Sequence, residues 1–489
     1  MTQRALQPID RISLSVIFIL SIVIIVLLAS ENICQNNNCF LHTGPNVRNF
    51  SWQNKEIGAK DSAFIITFDR PMDRASVEKN LVLDPPLPGK ISWAGRRLAY
   101  TLKNPAPYGL KYEVQLEGAV SKYDPNEEME PFIGKFQTRD RAFAYIGSEG
   151  EERGRLILYN FTSKTKTILT PPKLVVFDFV PYPQSDRILF SAADRASGIE
   201  GLQKLKLYTV TTGLNNSKSP AKEIKLILNN KKYQNNDFEL AENGKIIVVQ
   251  RMERKNPEKF DLWSIEKDKK PQPLHVQGGE FLIAPDSQTL AVAKGEGIAL
   301  LPLKPDSEPL DFLPKFGRVL NFSNDGKSAA MVNFNTENPE LRFTRSLFYV
   351  NNQGLQKELL NITGSILDCK FNPTGSHLYC LLTQVKEGKE YRELPYLAKI
   401  DTKTAEVSPI IAWPEYQDIQ ISVAPDGLGI LFDQLTTAED SQEELISNSG
   451  EAIVAGNLWL LIQSVDLSSD LQPQLEQLPL VGVRPQWLP

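Results

Sequence analysis

One turn motif recurs from about residue 139 to the end of the chain, and its last copy is cut in half. Five complete copies read apolar-x-x-x-Gly/Ser-x-x-apolar: Leu240–Ile247, Ile283–Leu290, Phe322–Ala329, Phe371–Leu378 and Val423–Ile430. A further copy, Val180–Ile188, is one residue longer. The terminal Trp487-Leu488-Pro489 supplies only a front half, and the matching back half lies near Asp140-Arg141-Ala142-Phe143. A repeat divided between the two ends of its own region is what a closed ring requires.

The segments around each turn read as short strands with almost no helical periodicity. Around the Phe371 turn they are Ile366–Phe371, Leu378–Thr383, Tyr396–Asp401 and Val407–Ala412. Four strands in roughly 40–60 residues is the pattern of a β-propeller blade. Counting the longer copy and the split one gives seven blades over 139–489. Pairing of Val483–Leu488 with Ala142–Ile146 would build the first blade from both ends and leave no unpaired inner edge. The competing reading is a set of two or three unrelated β-sandwiches. The turns Ala284-Pro285-Asp286 and Ala424-Pro425-Asp426-Gly427 resemble those of TolB-like propellers, the exported relatives of WD40 rings, although seven blades depart from the six of TolB.

Ahead of the ring, residues 12–29 form an uncharged apolar run of 18 residues, near the shortest length that spans a bilayer as a helix. Arg4 and Arg11 precede it, and no Lys or Arg follows until Arg48. The positive-inside rule then predicts a cytoplasmic tail at 1–11 and an inner (plasma) membrane anchor at 12–29. The rest of a bacterial single-pass protein would lie outside the cytoplasm, in the periplasm. A cleaved signal peptide is the alternative, with an apolar core longer than usual and a poor cleavage site at Leu28-Ala29-Ser30.

Residues 30–58, rich in Asn, Gly and Pro, read as a linker. Strand signals follow at Ala63–Phe68, Leu81–Leu83, Ile91–Trp93, Leu98–Leu102, Tyr112–Leu116 and Phe132–Phe136, separated by Pro, Gly and Asp turns, as in a small sandwich. Phe64-Ile-Ile-Thr-Phe-Asp-Arg-Pro-Met-Asp73, with Trp93, Leu98–Thr101, Tyr108–Tyr112 and Phe136–Thr138, resembles the bacterial Ig-like domain of the S-layer type. That resemblance covers about 59–138 and implies a spacer or adhesion module. The acidic stretch Asp124–Glu130 lacks the Gly and closing acid of a calcium loop and reads as a solvated turn.

Chemistry is harder to find than shape. A net charge of -5 argues against a nucleic-acid binder, and three histidines give little scope for imidazole catalysis. No Gly-x-Ser-x-Gly elbow or His-Glu-x-x-His occurs. Gly326-Lys327-Ser328 ends like a phosphate loop, but Asn321 stands where the first Gly belongs. No cofactor or metal site is implied. The cysteines form two local pairs, Cys34 with Cys39 and Cys369 with Cys380, and the second pair would face across a hairpin. Two buried free thiols are the alternative.

Within each blade the turns between first and second strands emerge on one face, and the connections from second to third strand on the other. The latter are the longer ones: 193–205, 251–259, 335–345, 385–394 and 436–456. Arg251, Arg254, Lys255, the acidic Glu387-Gly388 step, Glu443 and Glu444 on these loops are the candidate binding residues, because ring scaffolds commonly bind through loops. The sandwich enters at the second strand of the first blade and so should sit on the Gly-turn face. The expected partner is a protein or an envelope polysaccharide. The alternative is an enzyme that cleaves glycans or lactones with channel carboxylates, with or without calcium. Its candidates are Asp178, Asp237, Glu280, Asp368 and Asp418, whose phases relative to the turns differ by simple counting.

Overall fold

The computed structural model describes residues 13, 16–25, 44–214, 220–277, 279–295, 297–305, 307–341, 343–386, 392–415, 418–438, 445, 447, 451–463 and 474–489. The chain is all-β over nearly all of these, in a sandwich followed by a β-propeller.

The propeller explains why one motif recurs. In six places the residue after the last paired strand position donates its N–H across the turn to the carbonyl five residues on. The residue three further along donates back to it. Ala241, Ala284, Ser323, Asn372 and Ala424 act this way with Gly244, Ser287, Gly326, Gly375 and Gly427. Those returning residues have φ between 58° and 76°, the left-handed region where glycine carries no Cβ penalty. Tyr182 and Ser185 (φ 55°) make the same pair of bonds. The copy that looked one residue longer therefore has the common length, because Pro181, paired with Ile188, fills the apolar position assigned to Val180.

The ring is traced among the described residues as five four-stranded antiparallel sheets and one seven-stranded sheet in which two blades share a strand, making seven four-stranded blades. The inner strands of six are Leu174–Pro181, Tyr233–Leu240, Phe281–Ile283, Arg318–Phe322, Ile366–Phe371 and Ile421–Val423. One 14-residue strand, Gln474–Trp487, closes the ring. Its first part pairs with Ala452–Ile462 as the outer strand of the last blade. Its second part pairs with Ala142–Gly147 as the inner strand of the first, placing Val483 opposite Ile146 and Trp487 opposite Phe143. The change of partner falls between Val481 and Gly482, where backbones crowd together. A Cβ on Gly482 would lie 2.3 Å from the Tyr145 ring, and one on Gly456 would lie 2.5 Å from the Gly482 carbonyl. Leu488 N–H then bonds to Ala142 O at 3.0 Å. In the sixth blade Cys369 and Cys380 are directly opposed and joined by a disulfide. Cys34 and Cys39 lie outside the described residues.

The sandwich consists of two four-stranded sheets around Phe50, Trp52, Phe64, Phe68, Tyr112 and Phe136. It begins earlier than expected. Val47–Phe50 pairs with Ala63–Phe68, and Glu56–Ile57 with Phe132–Thr138, so part of the anticipated linker is strand. The reason is burial: Phe50, Trp52 and Ile57 are core residues that a solvated linker would leave in water. The Pro-Met-Asp sequence has a local purpose. Met72 is buried, and Asp73 caps the helix Arg74–Asn80 by accepting the Ser76 N–H at 2.8 Å.

The sandwich rests on the Gly-turn face of the ring. Asp426, in the last blade's turn, accepts the Tyr108 N–H at 2.9 Å and pairs with Arg141 at 2.5 Å. Arg139 donates to the carbonyls of Pro183 (2.7 Å) and Pro489 (2.9 Å) and to Gln184. Lys60 pairs with Glu242 in the third blade's turn.

The expected membrane anchor is not found. Among the described residues no helix is long and apolar enough to cross a membrane. The single-pass inner-membrane topology inferred from 12–29, with the bulk of the chain periplasmic, is corrected accordingly.

Candidate functional site

The turn hydrogen bonds give the inner strands a common register, and that register sets a ring of side chains at one level, most of them in contact with the channel. Three residues before the last paired position stand Asp178, Asp237, Glu280, Val319, Asp368 and Gln420, with Arg484 on the closing strand. Four carboxylates thus share one level of the channel. Counting from Val180 instead of Pro181 hides this, and Asp418 is two residues out of phase. β-Bulges beside Asp178 and Asp237 complicate the count further. Each of these aspartates accepts the N–H of the following phenylalanine at 2.8 Å.

Cations interleave the acids. Arg318 Nε lies 2.6 Å from Glu280, Lys370 3.2 Å from Asp368, and Arg484 Nη1 3.6 Å from Asp178. Among the described residues no three His, Cys, Asp or Glu side chains come together as a metal site. Asp237 remains in contact with water, yet the channel wall desolvates its carboxyl and pushes its pKa up to about 6. The carboxylates of Asp178 and Glu280 push the same way; the Phe238 N–H and Arg484 oppose it.

Two residues nearer the turns, side chains join neighbouring blades. Glu239 accepts the Ile283 N–H at 2.7 Å, Asn321 that of Phe371 at 3.0 Å, and Ser422 that of Trp487 at 3.0 Å. Burial raises the Glu239 carboxyl to about 8, and nearby Asp237 adds to the effect. Asp433 accepts the N–H groups of Gln420 and Arg484, both at 2.7 Å, and burial lifts it to about 6. These groups stitch the ring together.

A cavity of about 210 Å³ opens where the channel meets the long-loop face. Asp178, Ser191, Asn236, Ser447 and Arg484 supply its polar wall. Phe177 on the inner strand, Leu202 on the 3-10 helix Arg195–Lys204 and Leu205 just after it, all of the second blade, supply much of the apolar one.

Of the binding residues singled out from sequence, none that is described lines this cavity, whereas Asp178, from the alternative set of carboxylates, does. Glu387, Gly388, Glu443 and Glu444 lie outside the described residues. Lys255 is exposed in the tight connection between Ile246–Glu253 and Asn256–Glu266, so most of the loop expected at 251–259 is hairpin strand. Arg254 bonds to the carbonyls of Asn230 and Gln203. Arg251, expected on the surface, is only 7% exposed. Its guanidinium packs against the adjoining rings of Tyr233 (4.3 Å) and Trp263 (4.7 Å), and its Nε donates to Asn235 Oδ1 at 3.2 Å. Strand alternation could have signalled this, since Val249 and Arg251 share a sheet face with Trp263.

No family model matches the chain, and no curated protein matches it. Similar solved structures include TolB from Acinetobacter baumannii, at 11% identity over 84% of this chain and 83% of that one (TM-score 0.40). An oligogalacturonate lyase from Vibrio parahaemolyticus is 11% identical over 60% and 88% (TM-score 0.44). A candidate 6-phosphogluconolactonase from Bacteroides uniformis is 13% identical over 71% and 99% (TM-score 0.42). Likeness at this level carries no activity across.

Proposed function

We propose that this chain is a binding protein. Its seven-bladed propeller meets a protein or polysaccharide partner on the long-loop face, and the sandwich serves as an Ig-like spacer behind it. One observation carries the reading: the sandwich docks on the Gly-turn face through Asp426, Arg139 and Lys60. The opposite face, with its longer connections and the channel-mouth cavity, is left uncovered by the described residues. Phe343 on that face is 70% exposed, as an anchor for a partner would be.

The test uses the full chain against panels of purified polysaccharides and proteins. Lys255→Glu and Phe343→Asp should weaken any binding at least tenfold, while Lys60→Ala on the other face should not. Equal loss from both faces would reject the assignment. A second reading, cleavage of a glycan or lactone, is favoured by one feature. Asp237, with its pKa near 6, sits beside other carboxylates in a water-accessible channel and could hold or release a proton near neutrality. Turnover of such a substrate that disappears in Asp237→Asn would move the assignment to that reading.

A further inference from the structure

Arg251 is a cation held in an apolar setting without an anion. The adjoining rings of Tyr233 and Trp263, 5.1 Å apart, pack against its guanidinium, and Asn235 occupies its Nε. Neither terminal nitrogen meets a protein acceptor among the described residues, and neither is sealed from solvent. The two acids nearest in the sheet are otherwise placed. Asp261, opposite Arg251 on the next strand, accepts the N–H groups of His275 (3.1 Å) and Val276 (2.7 Å). Among the described residues no carboxylate acts on the Arg251 charge, Glu253 two residues along the same strand included. Buried charges are ordinarily paired, because desolvating an ion without a counter-ion is costly.

The surroundings add positive charge. Lys231 and Lys232, in the connection from the second to the third blade, are exposed, as are Arg254 and Lys255. Asn235 in turn is fixed by donating to the carbonyls of Leu205 (2.9 Å) and Asn229 (3.3 Å), so the group that orients Arg251 is itself held.

We propose that Arg251 is the centre of a carboxylate-binding site at the long-loop end of the third blade. With the rings packed against it and Nε engaged, the edge carrying Nη1 and Nη2 is the part left without a protein acceptor among the described residues. That edge presents two parallel N–H donors, which match the two oxygens of one planar carboxylate. Packing against the two adjoining rings and the Asn235 bond hold the fork in advance, so little side-chain freedom is lost on binding. A single fixed guanidinium suits a monoanion better than a phosphate dianion, which would call for further fixed donors. The site is separate from the channel and stands whether or not the long-loop face receives a macromolecule.

The test is a titration of the full chain with acetate and glutarate, then with phosphate and sulfate, at constant ionic strength against chloride. Binding is read by calorimetry and by the shift in thermal midpoint. Wild type should bind the carboxylates more tightly than phosphate or sulfate. Arg251→Lys, which keeps charge but loses the fork, should bind at least tenfold more weakly. Asn235→Asp supplies an internal carboxylate beside Nε and should abolish binding while leaving the chain folded, which guards against a misfolded Arg251 variant. Carboxylate binding unchanged in Arg251→Lys and Asn235→Asp would overturn the proposal. Tighter binding of phosphate or sulfate than of carboxylate would overturn the choice of ligand.

Discussion

Glu239 occupies a position that Asn321 and Ser422 fill in other blades, and all three accept an N–H from the next inner strand. Only Glu239 can ionise there, and burial holds its pKa near 8 in the folded chain. In the unfolded chain it returns to roughly 4.3. The raised value means that the folded state binds the proton more tightly. Stability from this group is therefore complete below about pH 4.3 and is lost as pH climbs towards 8. Glu239→Gln keeps a carbonyl acceptor and removes the ionisation. Its unfolding free energy should exceed that of wild type by a few kcal/mol above pH 8, with the gap closing towards pH 4. Denaturant titrations across that range would show it, and parallel pH profiles for the two proteins would refute it. Such residue-level detail was poorly legible in the sequence. Glu239 reads as one acid among 59, and its burial depends on which blade it faces. Arg251 was misplaced for a related reason: a charge run hides a strand that continues two residues further than its polarity implies.

At the level of elements, the turns were the legible part, because their geometry restricts residue choice at a single position. Gly244, Gly326, Gly375 and Gly427 all carry positive φ, and a motif forced by the backbone survives as a pattern of letters. The bulges on the inner strands leave no such mark, so the common level of Asp178, Asp237, Glu280 and Asp368 emerged only from strand pairing. The closing strand offers a sharp element-level prediction. Gly482→Ala forces a Cβ against the Tyr145 ring and the Ile146 carbonyl and should destabilise the ring by about 1–3 kcal/mol or more. Gly295→Ala, where a Cβ meets nothing within 4 Å, should cost only the left-handed backbone penalty of about 1–2 kcal/mol. Urea unfolding of the two variants side by side decides between steric crowding and simple glycine flexibility.

At the scale of the whole molecule, sandwich and ring have separate apolar cores, meeting mainly through polar contacts such as Asp426 with Tyr108 and Arg141. Removing 482–489 deletes the inner strand of the first blade and reopens the circle. Calorimetry of that truncation should show the ring's transition lost or strongly lowered while the sandwich's persists. An unchanged ring transition would mean that closure contributes little. The shared strand also sets a clock on biosynthesis. Ala142–Gly147 leaves the ribosome some 345 residues before Trp487 can pair with it. At about 5–20 residues per second, that is a wait of roughly 17–70 s. Throughout it the first blade carries a bare, strongly apolar edge of the kind that captures other strands. The protein is thus exposed to aggregation while it is still being made, and synthesis of Gly482–Trp487 ends that exposure.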